Sequence, residues 1–254
     1  MLDSSEHGET QFLRCTFRRN LSGAYRLEGF DVLGPYFEDC TFEENSNTSG
    51  GAIYLSNPRP PGVDVQRCRF INNSATQFGG AISLSSGLDI RIENSVFWNN
   101  TAGQQGGAIA VTSDARVTLR SCTIASGGAP VGGGVAGRLI ARFTFDRTII
   151  AFTGPGTAVG CGQLHTIVAT CTDIFGNAGG DWVGCMDGLN GTNGNIAADP
   201  RFCGLEVGDL TLGTNSPCSP EHSGACGLIG ALPVECGVTA VEPATWGRVK
   251  ASFR

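Results

Sequence analysis

The chain has 254 residues, 38 of them glycine, a formal net charge of −6 and a single lysine, Lys250. With no basic stripe to neutralise phosphates, it is not expected to bind nucleic acid. No run of about 18 apolar residues occurs, so no transmembrane helix is expected.

Met1–Thr10 has neither a basic start nor an apolar run, and does not read as a signal peptide. The segment from Thr10 to Asn20 already aligns with that from Val63 to Asn73. The chain therefore opens inside a repeat, where a solenoid would normally carry an atypical capping unit. The expectation is a piece of a longer protein, with more coils and an export signal upstream. The same reading expects an open upper edge around Phe12 and Phe17, and end-to-end self-association through it.

Two motifs recur from here on. Gly-Gly-Ala-Ile stands at Gly50–Ile53, Gly79–Ile82 and Gly106–Ile109, with a looser copy at Gly132–Val135. Phe-x-x-Asn stands at Phe17 and Asn20, Phe42 and Asn45, Phe70 and Asn73, and Phe97 and Asn100. Successive copies lie 25 to 29 residues apart, a period that signals stacked structural repeats. Between the motifs, apolar residues alternate in Ala81–Ser85, Leu88–Ile92 and Ala115–Leu119, as in strands with one buried face. A bend at Glu93-Asn94 leads into a third strand that places Ser95 and Phe97 on one side. In the same register Cys40 with Phe42, Cys68 with Phe70, and Cys122 with Ile124 point inward.

Coils of this length bury their apolar faces by stacking at the ~4.8 Å spacing of paired strands. The fold class expected is all-β: a right-handed parallel β-helix of six to seven coils over residues 1–178. Phe42, Phe70 and Phe97 should stack inside, and Asn45, Asn73 and Asn100 should stack at one bend. Asn tolerates the left-handed conformation of a sharp bend, and its amide can bond the next coil. The paired glycines suit the other corner.

After Cys122 the pattern loosens, and the register of Arg138–Ile150 is ambiguous. Gln163–Ile174 is the last recognisable coil. Residues 179–237, rich in Gly and Cys, are expected to cap the open end of the core. Residues 238–254 form a tail in which Trp246, Val249 and Phe253 recur at helical spacing. It reads either as a disordered terminus or as a detachable sorting or anchoring peptide.

The 11 cysteines fall into two groups. Cys15, Cys40, Cys68 and Cys122 hold one place in the repeat and read as reduced core filler. The seven after residue 160 read as a disulfide framework. Cys218 and Cys226, enclosing Pro220 and Gly224, are expected to pair. Cys161, Cys171, Cys185, Cys203 and Cys236 should supply one or two further bridges of open connectivity.

The two-part motif over about residues 10–150 resembles the repeat of the polymorphic outer membrane proteins and, more broadly, of bacterial right-handed parallel β-helix proteins. A second stretch is similar to the end region of secreted bacterial β-helix proteins of the choice-of-anchor type. It comprises Asp173–Gly184, Ile196–Phe202, Gly208–Leu212, Ser216-Pro217 and Gly227–Ala231. These resemblances imply export and display at a bacterial cell surface. Such a surface protein would be a stalk or adhesin-like module that contacts polysaccharide or another surface protein.

Parallel β-helices also carry polysaccharide lyases and hydrolases, which need carboxylates gathered around calcium or facing one another. Here Asp64 lies one period from Arg91 and Glu93 one period from Arg120, which reads as a charge-paired wall and not as a catalytic set. An enzyme site would have to lie in upstream coils or in the loops Asn57–Pro61 and Gly103–Gln105. His7, His165 and His222 fit no triad or metal spacing and read as surface residues. Ser5 and Ser22 lack any nucleophile-elbow pattern. Asp173, Asp181, Asp187 and Asp199 read either as a calcium set or as turn-capping residues. Gly132–Gly134 is no phosphate loop, since no Lys follows. No catalytic, cofactor-binding or metal residue is assigned.

Overall fold

The structure, a computed structural model, describes residues 10–29, 34–56, 62–85 and 87–237. The expectations placed on Met1–Glu9, on the Asn57–Pro61 loop and on the 238–254 tail lie outside the described residues.

Each coil contributes three main strands, and each strand pairs in parallel with its counterpart one coil on. The first wall joins Gln11–Leu13, Tyr36–Glu38, Val63–Gln66, Leu88–Glu93, Ala115–Arg120, Ile140–Asp146 and Leu164–Thr170. The second wall also has 7 strands, from Thr16–Arg18 to Asp173–Phe175, and the third has 6, from Tyr25–Glu28 to Val159–Gly160. An eighth rung begins where Ile196 bridges Asp173. The register that the sequence left ambiguous is settled by Ala115↔Ala141 on one side and Ile140↔Leu164 on the other. This is the all-β parallel solenoid expected.

The interior follows from the alternation. Phe42, Phe70 and Phe97 are fully buried, and their rings stack at 4.8 and 4.6 Å with interplanar angles of 2° and 3°. Phe17 extends the column upward at 4.8 Å. Cys40, Cys68 and Cys122 sit in the same core as free thiols, and Cys15 is free beside it.

The asparagine ladder is formed as well. Asn45 Nδ2 donates to Asn73 Oδ1 at 2.9 Å, and Asn73 Nδ2 to Asn100 Oδ1 at 3.0 Å. Each of those Oδ1 atoms also accepts the backbone N–H of the preceding ladder residue, at 3.0 Å in both cases. The left-handed residue, however, is not the ladder Asn. Positive φ falls one position earlier, on Glu44, Asn72 and Asn99. That neighbour makes the turn, and the Asn side chain is left pointing into the stack. The ladder breaks at Gly127 and resumes where Thr153 Oγ1 donates to Asn177 Oδ1 at 2.7 Å.

Changing Asn73 to Ala removes the acceptor for two Asn45 donors inside a buried column. Stability is expected to fall by roughly 1–3 kcal/mol, read as a lower denaturation midpoint at unchanged slope. An unchanged midpoint would show that the ladder contributes nothing net.

At the glycine corner the two glycines serve different needs. Gly79 has φ +62, a conformation that L side chains rarely adopt, and a Cβ on Gly80 would stand 2.1 Å from the carbonyl oxygen of Gly107 in the next coil. Coils cannot stack at strand spacing with any side chain there.

The expected end cap divides in two. Residues 178–195 do close the core end, with Trp182 and Met186 packed into the main core. Residues 199–236 instead run back along the outside of the second wall. Leu210 packs with Val96 and Ala125, while Leu212 and Ile229 pack with Ile149 and Ala151. Trp98 Nε1 donates to the Leu205 carbonyl at 3.0 Å, and the Ala231 N–H to Thr123 Oγ1 at 2.9 Å. The reason is apolar surface: the later strands of that wall carry hydrophobic residues on the outward face too, and these need a cover.

The bridges differ from the expected pairing accordingly. Cys226 bonds Cys171, Cys203 bonds Cys236, and Cys161 bonds Cys185. Cys218 is a buried free thiol. It faces the second wall, with Sγ 3.2 Å from Asp173 Oδ2, so it is turned to a carboxylate and not to Cys226.

Candidate functional site

Catalysis on this fold would need carboxylates brought together on an outer face. The first wall shows where its charges go. Arg91 approaches Asp64 at 3.6 Å, Arg116 approaches Asp89 at 3.0 Å, and Arg142 approaches Asp114 at 2.7 Å, each pair spanning adjacent coils. Arg67 bonds both Glu38 and Asp39. Glu93 is beside Arg120 by register, as expected, but the Arg120 guanidinium reaches the other way, to Asp146 at 3.1 Å. Asp146 is the register neighbour one coil further on, where Arg147 also approaches it at 3.4 Å. These pairs are largely exposed, and each contributes about 0–1 kcal/mol. Their effect is to neutralise much of the wall locally.

The aspartates considered for calcium are not brought together. Asp181 ends the asparagine ladder, accepting from Asn177 Nδ2 at 2.7 Å and from the Asn177 N–H at 2.8 Å. Asp199 closes a turn by accepting the Arg201 N–H at 2.8 Å. Asp187 follows a short 3-10 turn. The turn-capping alternative fits Asp181 and Asp199.

Asp173 is different. It is fully buried between the second wall and the covering segment, accepting the Ala198 N–H at 3.1 Å and facing the Cys218 thiol. Burial raises its carboxyl to about 7, and the charges of Asp181 and Asp199 push the same way. A carboxyl raised in the folded state binds more protons there than in the unfolded chain. Its contribution is therefore complete below about pH 4 and is lost as pH rises towards 7. Denaturation midpoints of Asp173→Asn are expected to stay flatter than wild type between those limits. Parallel profiles for the two proteins would refute this.

Burial pushes Cys68 and Cys122 up to about 12, so both stay protonated and unreactive. The loop at Gly103–Gln105 continues a small sheet by backbone pairing to Gln77 and Val131 and contains no carboxylate. His222 lies exposed in a turn, its Nδ1 2.8 Å from the buried Ser219 Oγ. His165 is exposed on the last strand of the first wall. Sequence reasoning missed that His165 meets Cys161 and Cys185. Among the described residues, these three make the only convergence of three His, Cys, Asp or Glu donors. Cys161 stands close to His165 in the sequence, and coil geometry brings Cys185, 24 residues beyond Cys161, to the pair.

Two depressions mark the covering segment. One, of about 410 Å³, is lined by Pro220, Leu228, Pro233 and Val234, with Thr214, Ser219 and Glu221. The other, of about 260 Å³, is lined by Asp199, Arg201, Asn215 and His222, with Ala198 and Pro217. Ser219 of the first is hydrogen-bonded to His222 of the second.

Parallel coils, stacked core residues and buried polar ladders beside the turns define a parallel β-helix. Residues 2–195 match the family described as right handed beta helix region, and the chain belongs to that family. No curated protein and no solved structure matches the chain. No helix of the described residues is long and apolar enough to cross a membrane.

Proposed function

We propose that the chain is an exported, non-enzymatic surface protein, a rigid β-helical display module that contacts glycans through its C-terminal flank. The observation that carries this reading is the outer wall. Most of its carboxylates stand beside arginines of neighbouring coils, an arrangement that suits a passive, solvated face. Three disulfides near the C-terminal end support an oxidising, extracytoplasmic setting. The likeness of the repeats to polymorphic outer membrane proteins, and of the end region to the choice-of-anchor type, points to display at a bacterial surface.

The paired depressions supply the contact. A sugar ring has an apolar C–H face and a rim of hydroxyls. The prolines and leucine of the first depression, and Asp199, Arg201, Asn215 and His222 of the second, offer a partner to each. The test is a polysaccharide panel scored for both binding and chain cleavage. Binding without cleavage, weakened by Arg201→Ala and Asn215→Ala, is the expected result. Chain cleavage by the purified protein would replace this reading with the lyase or hydrolase one.

A further inference from the structure

Cys161, His165 and Cys185 meet at the corner where the third wall passes into the first, at the closed end of the stack. Cys161 directly follows the strand Val159–Gly160, His165 lies in the strand Leu164–Thr170, and Cys185 sits in the 3-10 turn Gly184–Met186. The two sulfurs and one imidazole nitrogen all lie within 4.8 Å of one another. Both cysteines are half-buried against the core, whereas His165 faces solvent. His165 Nδ1 is 3.4 Å from the Gly162 carbonyl oxygen. In the tautomer that donates Nδ1–H to that carbonyl the Nε2 lone pair is free, which is how a neighbouring carbonyl prepares a metal-binding histidine.

We infer that Cys161, Cys185 and His165 form a redox-gated site for a thiophilic divalent cation, Zn²⁺ by ligand chemistry. Two thiolates and an imidazole are borderline-soft donors that suit zinc and not calcium or magnesium. In the oxidised state the sulfurs are bonded to each other and hold no metal. An external dithiol opens the site: its thiolate attacks one sulfur, and its second thiol resolves the mixed disulfide. The dithiol leaves as a cyclic disulfide, and two electrons and two protons pass to Cys161 and Cys185. Cation entry then displaces both thiol protons to solvent.

Tetrahedral zinc holds its sulfurs about 3.8 Å apart, from Zn–S bonds of about 2.3 Å. The Cα atoms are 6.1 Å apart, so side-chain rotation can open the sulfurs to that spacing. His165 is exposed, so a solvent molecule would complete the four ligands. Exchange with an external disulfide, which accepts the two electrons and leaves as its dithiol, would rejoin the sulfurs and eject the cation; reduction would readmit it.

The test uses the full chain and Co²⁺ as a spectroscopic probe. A phosphine replaces the dithiol as reductant, so that no added thiol competes for metal. Reduced wild type is expected to take one Co²⁺, showing thiolate-to-cobalt charge transfer and tetrahedral d–d absorption, and to lose both on Zn²⁺ addition. Unreduced protein should show neither. Cys161→Ser should abolish the spectrum, and His165→Ala should weaken binding by at least about tenfold. In wild type alone, Zn²⁺ should protect Cys161 and Cys185 from alkylation in peptide maps, a readout independent of how the variants fold. No tetrahedral spectrum, an unchanged spectrum in both variants, or no protection of these two cysteines would overturn the proposal. So would loss of β-sheet circular dichroism on reduction that Co²⁺ does not restore.

Discussion

Replacing Phe70 by alanine is expected to lower the stability of the coil stack by about 3–5 kcal/mol, the range for emptying a buried aromatic position. The ring is 0% exposed and is sandwiched at 4.8 Å by Phe42 and 4.6 Å by Phe97. Neighbouring coils are fixed by backbone pairing such as Phe42↔Phe70 and Phe97↔Phe70, so they cannot close on the void. Phe17→Ala is the internal comparison. Phe17 is only partly buried, and among the described residues a ring stacks on just one of its faces, that of Phe42. Its loss should be visibly smaller. Equal shifts in the denaturation midpoint for the two variants would mean that aromatic stacking does not propagate through the column.

Why the column could be read in the sequence, and the flank could not, has a physical cause. A coil that buries one face of each strand writes that face into every period, so Phe42, Phe70 and Phe97 and their asparagines recur at near-constant spacing. The second wall carries a further signal that alternation alone conceals. In Thr41–Glu43 only the inward Phe42 is buried, whereas in Thr123–Ala125 and Ile149–Ala151 all three residues are buried. A strand apolar on both faces has a cover on each. Thr123, Ile149 and Ala151 thus announced a second layer, although they could not say which segment supplies it. The expected Cys218–Cys226 pair rested on closeness in sequence. Bridging is decided by where the covering layer sets Cys226 down, which is against Cys171 on the last full coil. The arrival of Cys185 beside Cys161 and His165 was invisible for the same reason, because it depends on how the end-closing turn meets a corner between walls.

Breaking the Cys171–Cys226 bridge is expected to have the second large effect, and one that is confined in space. The bond spans 55 residues and is the only disulfide among the described residues that ties the covering layer to the coils. Cys203–Cys236 lies within that layer, and Cys161–Cys185 joins the end-closing turn to the coil corner. Loop-closure entropy for that span gives about 4 kcal/mol, with 2–4 typical of measured bridges. Cys226→Ser should let the layer lift from the second wall and expose Ile149, Ala151 and Val96, all buried beneath it. The main core, with Phe70 and the asparagine ladder, lies on the other side of that wall and should stay closed. Hydrogen exchange should therefore show lost protection at the Gly230 N–H, which bonds the Arg147 carbonyl at 2.8 Å. The Asn73 N–H, held by Asn100 Oδ1 at 3.0 Å, should keep its protection. Should both amides lose protection together, the covering layer and the coils would be one cooperative unit, and the bridge would hold the whole solenoid closed.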